Sequence, residues 1–168
     1  YSSMFQDCTT LATAPALPAT TLAVQCYFYM FSGCTSLTTA PALPATTLET
    51  SCYMYMFQDC TSLTTAPALP ATTLAFQCYT HMFSGCTGLT TVPELPATTL
   101  TGSCYYYMFK NCTSLKLSAT QAGNYTKAYR IPTSGTGTTE SQALLSMFSG
   151  TGGTFAGTPE INTEYYLD

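Results

Sequence analysis

Residues 52–74 read CYMYMFQDCTSLTTAPALPATTL, and close variants of this stretch fill most of the chain. The Met-Phe pair inside it recurs at Met4, Met30, Met56, Met82 and Met108, each time 26 residues on, with a sixth copy at Met147-Phe148 after a longer interval. Self-similarity at a fixed period of 20–50 residues marks a stacked-repeat architecture and takes precedence over local propensity. A single unit of this kind cannot bury its own apolar faces; stability comes from the neighbours above and below it. A slower alternation is superposed, FQDC at Phe5 and Phe57 against FSGC at Phe31 and Phe83, which reads as duplication of a two-repeat unit.

The chemistry of one repeat divides it into two legs. In Leu63-Thr64-Thr65-Ala66-Pro67-Ala68-Leu69-Pro70, apolar residues at the first, fourth and sixth places predict a short strand. It would send Leu63, Ala66 and Ala68 inward and Thr65 and Pro67 outward, by the two-residue alternation of strands. Proline lacks a ladder donor, so the strand should stop at Pro67. On the other leg, Cys52, Met56 and Cys60 are spaced i, i+4, i+8, which places them on one face of a helix of about two turns. Asp7, Gly33, Asp59, Gly85 and Asn111 all precede the second cysteine. These residue types tolerate left-handed backbone and so would end that helix. Residues two and three after the first cysteine vary from copy to copy (Phe28-Tyr29, Met54-Tyr55, Thr80-His81, Tyr106-Tyr107) and read as exposed. The residue directly after it is Tyr27, Tyr53, Tyr79 and Tyr105, held by packing.

The rhythm breaks after Leu115. Gln142 to Thr151, QALLSMFSGT, still aligns with QCYTHMFSGC at Gln77 to Cys86, but is reached 31 residues after Cys112 where earlier copies need 18. The chain is therefore divided into a repeat region, 1–115, and a divergent terminal repeat and cap, 116–168, the latter carrying a 13-residue insertion and a closing strand near TPEINTEYYLD. Open ends of repeat arrays need covering. The insertion also holds Lys116, Lys127 and Arg130, every basic residue except Lys110, which gives it a binding role as the alternative to a cap.

Charged residues make up only 7% of the chain and the net charge is −4, against about 25% charged residues in ordinary soluble domains. Roughly a fifth of the chain is threonine, so hydroxyls, more than ions, wet its surface. Without a basic stripe in the first two thirds, a nucleic-acid partner is not expected. No apolar run is long enough to span a bilayer. The opening YSSMFQDC enters the repeat one residue after its first cysteine, from which a trimmed chain with a targeting signal upstream of Tyr1 is expected.

Nine cysteines form two columns: Cys8, Cys34, Cys60, Cys86 and Cys112, and Cys26, Cys52, Cys78 and Cys104. Eight residues of helix separate Cys52 from Cys60 by about 12 Å, too far for one zinc with bonds of about 2.3 Å or for a disulfide. Buried structural thiols are the reading, with bridges between neighbouring coils as its alternative. His81, the only histidine, stands where other copies have Tyr29, Tyr55 and Tyr107, which argues against a Cys78–His81 catalytic pair. No catalytic residue, metal ligand or cofactor is predicted. Asn111-Cys112-Thr113 and Asn124-Tyr125-Thr126 match the glycosylation triplet, the first of them expected in the core.

The unit MFxxCTSLTxxPxLP resembles the BspA-like leucine-rich repeats, a bacterial surface type with the motif AFxxCxxLxxIxIP. Met56-Phe57 stands at its Ala-Phe, Cys60 and Leu63 match directly, and Ala66, Ala68 and Pro70 follow its strand positions. The resemblance covers about residues 1–115. It implies an extracellular or bacterial cell-surface protein of adhesin type, anchored, as a lipoprotein for example, through a region upstream of Tyr1. The predicted fold is an α/β solenoid: a right-handed, leucine-rich-repeat-like coil with short parallel strands on one side, short helices on the other, and about five repeats plus a C-terminal cap. Its expected role is non-catalytic binding of a protein or glycan, with a structural spacer or accessory subunit among other envelope subunits as the alternative. Two surfaces are candidates. One is the aromatic row Tyr29, Tyr55, His81 and Tyr107, and the other is the threonine row Thr39, Thr65 and Thr91, flanked by Pro41, Pro67 and Pro93.

Overall fold

The computed structural model describes residues 1–168. Residues 26 apart lie over one another in columns, so that each repeat forms one tier of a stack. The phenylalanine column runs Phe5, Phe31, Phe57, Phe83, Phe109 and Phe148, with near-parallel rings 5.6, 5.6, 5.6, 5.5 and 5.4 Å apart. A second column joins Tyr27, Tyr53, Tyr79 and Tyr105 at 5.8 Å. Burying each such ring is worth about 1.5–3 kcal/mol, and neighbouring aromatic pairs contribute beyond their area. Met56, Phe57, Cys60 and Leu63 have no exposed surface, and one continuous core of 43 residues runs from Leu17 to Leu167.

Between the columns the backbone is not what the motif predicts. The chain contains no helix, and its strands are confined to one small sheet near the C-terminus. The α/β solenoid of leucine-rich-repeat type, with helices on one side and parallel strands on the other, is overturned by this. The segment 51–60 is a ribbon of consecutive turns. The amides of Cys52, Met56 and Cys60 turn back to the carbonyls of Glu49, Tyr53 and Phe57 at 3.2, 3.2 and 3.1 Å. Those of Tyr53, Tyr55, Phe57 and Asp59 reach forward to the next tier, to Cys78, Thr80, Met82 and Ser84 at 3.1, 3.0, 2.9 and 2.8 Å. An α-helix would spend every interior amide on itself and leave adjacent tiers unbonded; the ribbon divides its amides between the two tasks.

The ribbon repeats every four residues. Ser51, Tyr55 and Asp59 have left-handed φ of 53, 59 and 57°, and the equivalent places in other tiers do the same. Cys52–Tyr53, Met56–Phe57 and Cys60 therefore point to the core together. On a helix, positions eight apart drift by about 80°. The i, i+4, i+8 spacing fits a four-residue period better than a helical one, and that is why the helix expectation fails.

The proline leg also departs from expectation. Leu63, Leu69, Ala71 and Leu74 are buried, Ala66 and Pro67 are half-buried, and Ala68 is exposed. Pro41 and Pro93, expected to face outward, are buried. With prolines at 67 and 70, no backbone hydrogen bond involves residues 67–71, and a strand has nothing to pair with. Cross-tier bonding falls instead to the threonine corners: the amide of Thr90 donates to Thr64 O at 3.0 Å, that of Leu48 to Thr73 O at 2.9 Å, and isolated parallel bridges join Thr13 to Thr39 and Thr47 to Thr73.

Residues 142–151 form the sixth tier. Amides of Tyr105, Phe109 and Asn111 donate to carbonyls of Ala143, Met147 and Ser149. The sheet lies within 116–168: β1 (Lys116–Ser118), β2 (Lys127–Arg130), β3 (Gly152–Gly153) and β4 (Glu164–Leu167), in the order β2-β4-β1-β3. β4 is antiparallel to both of its neighbours, and β1 and β3 are parallel. Leu117, Tyr129, Tyr165 and Leu167 from three of these strands join the common core.

Candidate ligand-binding face

The left-handed position in the middle of each ribbon aims its side chain along the stack. Tyr29, Tyr55, His81 and Tyr107, at φ 54, 59, 54 and 52°, form one ladder with ring separations of 4.5, 4.8 and 5.0 Å. The four are half-buried. Their faces are turned to one another, so the ladder presents ring edges and hydroxyls outward. Phe28 and Tyr106 meet it edge-on, at 4.5 Å from Tyr29 and 4.3 Å from Tyr107. The Lys110 ammonium sits 4.6 Å from the centre of the Tyr107 ring, a cation–π contact worth about 0.5–1 kcal/mol. Sequence reasoning selected the four ladder residues and missed Phe28, Tyr106 and Lys110. The aromatic doublets Phe28-Tyr29 and Tyr106-Tyr107 were the available signal. The doublet positions are not freely exposed as expected: Thr80 is buried, its hydroxyl donating to Ser103 O at 2.6 Å.

Thr39, Thr65 and Thr91 are exposed and in register on the proline leg. The Thr91 hydroxyl accepts the Ala66 amide at 3.3 Å. Beside them, an open groove of about 520 Å³ runs between Pro67–Pro70 and Pro93–Pro96, and one of about 370 Å³ runs between Pro41–Pro44 and Pro67–Pro70. Their walls are mostly proline, alanine and threonine, with Leu43, Leu69, Val92 and one carboxylate, Glu94, and supply few groups that would orient a ligand.

The buried thiols and His81 are held neutral. Burial, with the Lys110 charge as a smaller cause, lowers the His81 imidazole to about 4, and its Nδ1 has no hydrogen-bond partner. Burial pushes the Cys52, Cys60 and Cys112 thiols up to about 12 and raises the Cys78 thiol well above its ordinary value. All nine cysteines are unbridged. In the Cys8–Cys112 column each thiol after the first donates to a phenylalanine carbonyl of the preceding tier: Cys34 to Phe5, Cys60 to Phe31, Cys86 to Phe57 and Cys112 to Phe83, at 3.0–3.1 Å. No cluster of His, Cys, Asp and Glu has the arrangement of a metal site. Asn111, expected in the core, is exposed with its side chain over Gly150. No helix is long and apolar enough to cross a membrane.

Comparison with models of known families, with curated proteins and with solved structures returned no match. The leucine-rich-repeat description and the cell-surface adhesion drawn from it thus have neither the helix–strand architecture nor a relative behind them.

Proposed function

We propose that this chain is a non-catalytic binding protein that engages a protein or glycan along the face bearing the Tyr29–Tyr107 ladder. The observation that carries the reading is the ladder itself. It is a row of half-exposed aromatic edges and hydroxyls on a molecule whose surface is otherwise rich in threonine, alanine and proline. Aromatic side chains are favoured binding anchors because they offer area at little entropic cost. With the ring faces occupied by one another, flat stacking of a sugar ring has no free platform between Tyr29 and Tyr107, and edge and hydroxyl contacts favour a protein surface over a glycan. Protonated thiols and a neutral, unpartnered His81 support a role without chemistry, since neither nucleophile nor acid–base pair is poised near neutral pH.

A second reading is favoured by a different observation, the near identity of the tiers. A structural spacer or accessory subunit of an envelope assembly needs a regular body and no distinct site. An extracellular setting belongs to both readings and rests on the motif resemblance alone. The two part on one experiment: glycan-array and pull-down profiles of the chain against its Tyr29→Ala/Tyr55→Ala variant. The binding reading expects a saturable ligand that the variant loses; stable co-purification with an envelope complex, unaffected by the variant, selects the spacer.

A further inference from the structure

Within the ribbons, each tier holds the next through amides two residues apart. In the fifth tier the Ser103 and Tyr105 amides donate to the Ser141 and Ala143 carbonyls at 3.2 and 2.9 Å. Their counterparts in the sixth tier are Gln142 and Leu144. Residues 157–158 serve the rest of that tier: the Thr158 hydroxyl accepts the Ser146 amide at 2.7 Å, and the Gly157 carbonyl accepts the Phe148 amide at 2.9 Å. At Pro159 the chain turns away. The Glu160 amide donates to the Tyr165 hydroxyl at 3.0 Å and the Asn162 amide to the Ile131 carbonyl at 2.8 Å. The Gln142 and Leu144 amides are left with no acceptor in the chain. Both residues line an open cavity of about 620 Å³, walled by Leu145, Pro159 and Ile161 and flanked by Glu140 and Glu160. Leu145 is 39% exposed there. The one ion pair of the chain joins Lys116 to Asp168, so neither glutamate is neutralised, and no lysine or arginine lines the cavity.

We propose that this cavity is a binding site for an extended, basic peptide segment of another protein. Carbonyls two residues apart in the segment accept from Gln142 and Leu144, as Ser141 and Ala143 accept from the tier before. An apolar side chain of the segment lies against Leu145 and Ile161, and lysine or arginine side chains reach Glu140 and Glu160. Main-chain bonds of this kind supply affinity and the side-chain pocket supplies choice. The two carboxylates set the sign of the partner, since an acidic segment would bring like charges together. The site is formed within residues 139–161, is separate from the aromatic ladder, and stands or falls without it.

The test titrates the folded chain with the capped pentapeptide acetyl-Lys-Leu-Lys-Leu-Lys-amide and reads backbone amides by NMR. The expected result is a saturable downfield shift and slowed hydrogen exchange at Gln142 and Leu144, with the already bonded Phe148 amide unmoved. The Tyr29→Ala/Tyr55→Ala variant binds the peptide equally. Glu140→Gln/Glu160→Gln, two exposed changes that leave the free spectrum intact elsewhere, weakens binding about tenfold, as two surface charge pairs would. The Glu-for-Lys version of the peptide leaves the cavity signals in place. No saturable shift at millimolar lysine peptide overturns the proposal, as does equal affinity for the glutamate peptide or undiminished binding by the double glutamine variant. Two other occupants would overturn it too: calcium alone producing the Gln142 and Leu144 shifts, and the same shifts arising on concentrating the protein by itself.

Discussion

His81 shows how a tier treats the one residue that departs from its column. It takes a tyrosine's place, stacks between Tyr55 and Tyr107, and is held neutral by burial and by Lys110. Its imidazole binds protons less readily folded than unfolded. The stability tied to that difference is therefore intact above pH 6.5, the unfolded value, and is lost as pH falls toward about 4. Partial exposure reduces the loss to about 1–2 kcal/mol. The His81→Tyr variant should remove this acid sensitivity, seen as a smaller difference between urea midpoints at pH 7 and pH 4.5. The thiols give a second residue-scale outcome. In the folded chain a thiol reagent should label Cys8 and Cys26, the two partly exposed cysteines, well before the seven buried ones, and all nine together only on unfolding. Fast labelling of Cys60 or Cys86 would contradict the burial described. The structural role of the cysteines was legible in their column spacing, while their bonds to phenylalanine carbonyls were not, because a thiol's donor has no sequence signature.

The turn ribbon, as an element, explains an alternation that the sequence shows but does not account for. At the position before the second cysteine, aspartate or asparagine and glycine take turns: Asp7, Gly33, Asp59, Gly85, Asn111, Gly150. All are left-handed, and a Cβ on Gly33, Gly85 or Gly150 would fall on the side-chain oxygen of the tier before it. Gly85→Ala should thus cost about 1–2 kcal/mol through its φ of 77°, plus whatever displacing the Asp59 carboxylate requires. In Asp59→Gly/Gly85→Ala only the backbone cost should remain. A double-mutant cycle by chemical denaturation measures the coupling; strict additivity would sink the explanation. The Asp/Gly/Asn column was readable as left-handed from residue type. The columns of Gln25 and Ser51 and of Tyr29 and Tyr55 were not, because glutamine, serine and tyrosine carry no such signal. Without them a helix and a four-residue ribbon look alike.

At the scale of the whole molecule, the 26-residue register decides which changes of length are tolerated. Contacts are made only between adjacent tiers, so stability is close to a sum over tiers and their interfaces. Deleting residues 27–78 joins Cys26 to Tyr79 and sets Asp7 beneath Gly85, preserving every column and the alternation. The shortened chain should fold, with a lower thermal midpoint and an unchanged circular dichroism shape per residue. Deleting 13 residues from the same region throws Met, Phe and Cys out of column and should abolish cooperative unfolding. The stack was legible from the period because identical residues over identical residues make a continuous interior. The sheet that closes it was less so. β4 falls in the expected closing segment, but β1 and β3 meet across 33 intervening residues, Ser118 to Gly152 bounding them, and no local pattern announces that pairing.

Within the ribbons the backbone bonds between tiers all run one way, outnumbering the reverse bonds at the threonine corners, and this has an electrical consequence. Peptide units such as Met30–Phe31 stand along the stack, carbonyl toward the first tier and amide toward the last, and each carries a moment of about 3.5 D. Their moments add from tier to tier instead of cancelling as they do across neighbouring strands of a sheet. The molecule is a permanent electric dipole, oxygen-negative at its Tyr1 end, whose strength grows with every repeat. In an applied field it should align with that end toward the positive electrode.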